Sequence, residues 1–171
     1  MLSFQQDIIT QYWQFIKSLG ITPDMEELEK RKLSIFNQLN FFGVVTGIII
    51  VTIGIFSNDH LPPLAWFASS SPIAISIFVM WLNYERYYEQ SRLLYFSLYP
   101  IATCLVYLGK VEVGIELFFI LYGVMSVFFF QKISSIIFSF SWSIACYLLA
   151  AIVSRDYYFR LAAVNYGFYV F

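Results

Sequence analysis

Charge is what this sequence has least of. Only 12% of its 171 residues are Asp, Glu, Lys or Arg, against about 25% in average soluble domains. Hydrophobic residues make up 60%. A soluble domain of this size must cover its surface with polar groups. Ten basic and eleven acidic side chains are too few for that. The scarcity excludes a disordered chain, a basic nucleic-acid binder and an ordinary soluble enzyme. What remains is an integral membrane protein.

Chemistry-bearing residues are also scarce. The sequence has no phosphate-binding glycine loop, no His-Glu metal signature and no nucleophile elbow. It therefore assigns no catalytic residue, no metal and no cofactor. The two cysteines, Cys104 and Cys146, lie inside apolar runs. A disulfide framework uses clustered pairs on loops, so these two read as small buried hydrophobes. The first thirty residues carry Gln5, Gln6, Asp7, Asp24 and Glu26. They lack the apolar core and small-residue cleavage site of a secretory signal peptide.

What the sequence does have is long runs without charge. A membrane helix needs about 20 mostly apolar residues. Charge-free runs place five spans at 34–56, 64–84, 93–109, 113–131 and 134–153. A sixth begins near 157 and is cut off at Phe171. Its roughly 15 residues reach about 22 Å as a helix, short of a core of about 30 Å. The expectation is an all-α, six-span bundle over 21–171, its last span incomplete, belonging to a longer receptor. Runs such as Gly47-Ile48-Ile49-Ile50-Val51 are apolar on every face. That suits helices in lipid rather than the alternating strands of a membrane barrel.

Lys and Arg in short loops set the orientation. With the N-terminus inside, Lys17, Lys30, Arg31, Lys32, Arg86, Arg92 and Lys132 are cytoplasmic. Lys110, Arg155 and Arg160 are outside. Seven against three favours a cytoplasmic N-terminus.

Residues 1–20 differ from the rest. Phe4, Ile8, Tyr12, Phe15, Ile16 and Leu19 fall near one helical face, which predicts an amphipathic helix at the cytoplasmic surface. Gly20 is a natural helix stop. Thr22-Pro23 reads as the cap and first position of the next helix, with Asp24, Glu26 and Glu27 favouring its N-terminus. That helix runs on into the first span. Pro72 and Pro100 sit within spans and predict kinks. Ser69-Ser70-Ser71 stands ready to bond backbone groups freed by Pro72 or a neighbouring helix.

Five side chains stand out as site candidates. Glu112 and Glu116 share one helix face. A carboxylate at the depth of Glu116 is costly unless paired, protonated or facing water. The pair either lines an outward cavity for a cation, an amine or a proton, or is neutralised by Lys110, Arg155 or Arg160. His60 beside Asp59 is either a solvated loop residue or a pH or metal sensor. Asn37 and Asn40 enter the first span and predict interhelical hydrogen bonds. Asn83 to Glu89 reads as an inner linker whose tyrosines anchor at the interface. The aromatic runs Phe128-Phe129-Phe130 and Tyr157-Tyr158-Phe159 suit packing, or a hydrophobic ligand such as a quinone or lipid.

Leu19-Gly20-Ile21, the charged stretch Glu26 to Lys32, and Asn37 five residues later precede aromatic-rich paired spans. This layout resembles the N-terminal six-helix membrane region of bacterial membrane-bound signalling proteins. The resemblance implies a sensor or regulatory module in the inner membrane, working as a homodimer. It would relay a stimulus to a cytoplasmic effector: a sensor histidine kinase first, a class III adenylate or guanylate cyclase next. Any such activity is implied for a C-terminal part, not for these residues. The rival readings are a small transporter or channel, or a non-enzymatic membrane scaffold.

Overall fold

The structure is a computed structural model and describes residues 2–56, 63–107 and 116–153. These residues form six α-helices and no strand. They are α1 (Leu2–Ser18), α2 (Glu27–Phe56), α3 (Pro63–Tyr84), α4 (Tyr88–Tyr107), α5 (Glu116–Phe129) and α6 (Ile133–Val153). Helices α2 to α6 fall on the five charge-free runs. The sixth span, expected from 157, lies outside the described residues.

The expected span count is met in part. Three of the described helices, not six, are long and apolar enough to cross a membrane: α2, α3 from Trp66, and α6. Helix α5 has 14 residues, about 21 Å of rise. Helix α4 carries Glu89, Arg92 and several tyrosines and hydroxyls. Its place in the bundle accounts for that composition. It packs against α3, α5 and α6 and buries Tyr95, Phe96, Pro100, Ala102, Thr103 and Cys104. A helix covered by its neighbours does not need an apolar outer face.

The bundle has an aromatic core around Phe36, Tyr95, Phe96 and Phe129, but on α6 burial is inverted relative to a soluble protein. On α6 the buried side is Ser135, Ser139, Ser143, Cys146 and Ala150. Its outer side shows Ile133, Ile137, Phe138, Leu148, Leu149 and Ile152. Ser139 is 0% exposed and Ile133 is 73% exposed. On α5, Phe119, Tyr122, Ser126 and Phe129 turn inward, while Leu117, Ile120, Val124 and Val127 face out. Small and polar residues at helix contacts, with large apolar residues outside, are the pattern of helices packed in lipid. Gly123 permits the close α5–α6 approach: a Cβ there would run into the Phe140 ring. Cys104 and Cys146 are free and buried in one cluster with Phe119 and Ala150.

Local chemistry explains the breaks. Pro72 has no N–H, so the Ala68 carbonyl loses its helical donor. The Ser71 hydroxyl donates to that carbonyl at 2.9 Å, as the serine run predicted. Helix α3 ends in a Schellman motif: Tyr87 N–H bonds Leu82 O at 2.8 Å and Arg86 N–H bonds Asn83 O at 3.1 Å. Arg86 takes the left-handed position, with φ 67°. Gly20, at φ 74°, follows the end of α1 as expected. The next helix starts later than Thr22-Pro23 predicted. Residues 22–25 form a separate turn closed by Met25 N–H on Thr22 O, and α2 begins at Glu27.

Helix α1 doubles back along α2. Trp13 meets the rings of Phe41 and Phe42, with centroids 5.8 and 5.9 Å away. Tyr12 and Phe15 remain exposed.

Candidate functional site

Two connected features bring polar side chains together inside the bundle. The first is a junction where the α1–α2 linker meets the α3–α4 turn. Asn37 is on α2 and Asn83 on the last turn of α3, both fully buried. Asn37 Nδ2 donates to Leu19 O at 2.8 Å. Asn83 Nδ2 donates to Asn37 Oδ1 at 2.8 Å. The Ser91 hydroxyl lies within reach of both Asn83 Oδ1 and Tyr88 O. Tyr88 closes the ring by donating its phenol to Gly20 O at 2.6 Å. Burial pushes the Tyr88 phenol up, against the lowering charge of Arg86, so it stays a neutral donor. Gly20 sits so close to Asn83 O that a Cβ would overlap it. A glycine is required there on two counts, space and positive φ.

The junction continues into a partly buried ion pair. Arg92 on α4 is 6% exposed. Its Nη1 donates to Phe129 O and its Nη2 to Glu29 Oε2, each at 2.8 Å. Phe129 is the last residue of α5, so its carbonyl is one that the helix itself leaves open. Glu29 lies in the first turn of α2, where a carboxylate suits the helix dipole. One guanidinium thus caps one helix and holds the start of another. Gln131 Nε2 donates to the other Glu29 oxygen at 2.8 Å. Burial works to raise the Glu29 carboxyl. The Arg92 and Gln131 hydrogen bonds, with the charges of Arg92 and Lys32, outweigh it and hold the pKa below its ordinary value. Nearby, Lys132 pairs with Glu89 at 2.8 Å.

The second feature is a cleft of about 200 Å³ among α2, α3, α4 and α5. Gly43, Ile50, Pro72, Ala102 and Val106 supply much of its apolar wall. Thr46, Ser69, Tyr99, Thr103 and Tyr122 bring hydroxyls. Tyr99 pairs with Ser76 at 2.6 Å, and Thr103 with Tyr122 at 2.8 Å. Gly43 makes room for the first pair, since a Cβ there would meet the Ser76 and Tyr99 hydroxyls. No charged side chain is found among the described lining residues.

The predicted site residues separate. Asn37 makes the interhelical contact expected of it. Asn40 is also buried, but its Nδ2 donates to Phe36 O within α2 at 2.8 Å. Glu116 is the first residue of α5; Glu112 and His60 lie outside the described residues. The sequence reading missed Asn83 as the partner of Asn37, Ser91 and Tyr88 as members of the same junction, and Arg92 as a buried group. It treated 83–89 as an interfacial linker. Tyr84 and Tyr87 are indeed exposed, while Tyr88 is turned inward as a clamp. The available signal was an asparagine closing one apolar helix and an arginine opening the next.

Fold and site together define an all-α protein with membrane-span-like helices, a polar helix junction and an uncharged cleft. Comparison with protein-family models, curated proteins and solved structures finds no match to this chain.

Proposed function

We propose that this chain is the membrane-embedded sensing and regulatory module of a bacterial receptor enzyme. On this reading it sits in the inner membrane as a six-span bundle with a cytoplasmic N-terminus. Helices α4 and α5 cross the bilayer too, α4 shielded by its neighbours. Two copies relay the stimulus to paired cytoplasmic effectors, histidine kinase first and adenylate cyclase next.

The observation that carries the reading is that cleft and junction share helices. Helix α2 lines the cleft with Gly43, Thr46 and Ile50 and holds Asn37 below them. Helix α4 lines it with Tyr99, Ala102 and Thr103 and carries Ser91 and Arg92 below. A ligand that favours one spacing of α2 against α4 therefore also biases the junction and the linker to α1. Stimulus binding shifts the equilibrium only by its differential affinity for the two arrangements. The uncharged lining suits a small apolar ligand better than a cation, which favours sensing over ion transport.

The test grafts this chain onto the catalytic half of a dimeric histidine kinase. Autophosphorylation is followed in vesicles while apolar ligands are titrated. The expected output changes with ligand and becomes ligand-independent in Asn37→Leu. A flat output across the panel, with the graft folded and dimeric, would overturn the reading.

A further inference from the structure

The cleft has a chemistry more specific than its apolar wall. Two hydroxyl pairs reach it, one through Tyr99 with Ser76 behind it and one through both Thr103 and Tyr122, and each contains two O–H groups with one hydrogen bond between them. One hydrogen closes the pair, and the other is left to find an acceptor. Tyr99 and Thr103 lie on successive turns of α4 and both line the cleft. Tyr122 of α5 lines it beside them. A donor left without an acceptor in such surroundings is costly.

Size narrows the ligand. An engineered apolar cavity of about 150 Å³ holds a benzene molecule. Drug-sized ligands need about 300–1,000 Å³. At about 200 Å³, this cleft takes one substituted ring.

We infer that the cleft binds a single-ring dicarbonyl compound, the headgroup of a quinone, with the Tyr99–Ser76 and Thr103–Tyr122 pairs donating to its oxygens. The inference rests on the reading of the cleft as the stimulus site, and supplies the ligand class. The apolar wall, from Ile50 and Pro72 to Ala102, Val106 and Phe118, covers the ring faces and substituents. Quinones dissolve in the bilayer and reach such a site from lipid.

Equilibrium dialysis of the full chain in nanodiscs tests this directly. The probes are radiolabelled tetramethyl-1,4-benzoquinone and tetramethylbenzene, each corrected for partition into empty nanodiscs. They share a ring and four methyl groups and differ in the two oxygens. The quinone should bind at least about tenfold more tightly to the native protein, from two hydrogen bonds. Tyr99→Phe and Tyr122→Phe should each weaken the quinone about fivefold and leave tetramethylbenzene unchanged. Equal binding of the two probes to the native chain overturns the inference, whatever the variants do. So does a quinone preference unaltered in both variants. If the quinone binds as expected but the kinase graft stays flat, sensing fails and the ligand class stands. If the graft responds to other ligands and the probes bind equally, the ligand class alone fails.

Discussion

Asn83 donates its side-chain amide to the side-chain oxygen of Asn37 at 2.8 Å, joining α3 to α2 in a fully buried contact. The same Asn37 donates to the backbone of Leu19, so one amide serves two elements. Asn37→Leu leaves the Asn83 amide and the Leu19 carbonyl without this partner. The expected loss is about 2 kcal/mol in unfolding free energy, read by denaturation in mixed micelles. A double-mutant cycle with Asn83→Leu should return a coupling of about 1 kcal/mol. Additive effects would show that the two side chains act independently.

Gly20 is the point where the linker touches the α3–α4 turn. Gly20→Ala places a methyl on Asn83 O and forces a non-glycine residue to φ 74°. The expected cost is about 2 kcal/mol or more. It should appear locally, as faster proteolysis between residues 18 and 27 while the melting of α3 to α6 changes little. Unaltered cleavage would show that the linker tolerates the group.

Arg86 holds the left-handed position of the Schellman motif, where a side chain is strained. Arg86→Gly should raise stability by about 1 kcal/mol, measured by the same denaturation. A loss of stability would reveal that the Arg86 side chain contributes more than its backbone strain costs.

The Glu29–Arg92 pair predicts a pH dependence. Burial alone would raise the Glu29 carboxyl, but its bonds to Arg92 and Gln131 bring it below its ordinary value of 4.5. A depressed carboxylate contributes stability that is fully present above that value. The contribution is lost as pH falls through the folded-state pKa. Unfolding measured from neutral pH down to strongly acid conditions should show this loss, and Glu29→Gln should flatten it. At neutral pH, Glu29→Ala should cost about 3 kcal/mol, because Arg92 is left buried without its carboxylate.

How far the sequence reaches can be judged from particular residues. The charge-free runs fall within or across α2 to α6, because a long apolar run without helix breakers favours one continuous helix. Pro72 with its serines, Gly20 as a stop, and Asn37 as an interhelical donor were legible for the same reason: each is a local chemical demand. That α4 is covered by its neighbours, rather than presenting an apolar face of its own, was not legible. Arg92 reads as a loop charge until the end of α5 and the start of α2 are seen to meet around it.

Composition and local chemistry by themselves determined that the described residues are helical, that three of the helices are long and apolar enough to cross a membrane, and where the helices break. Only the tertiary structure decided which polar groups face one another. Asn37 with Asn83 spans 46 residues of sequence and Arg92 with Glu29 spans 63. The cleft likewise exists only where four helices leave space between them. Periodicity fixes which face of a helix is special, whereas pairing depends on crossing positions that no single helix encodes. The low charge with which the sequence begins thus sharpens into a distribution: an uncharged cleft among the helices, and charge gathered at the junction that ties them together.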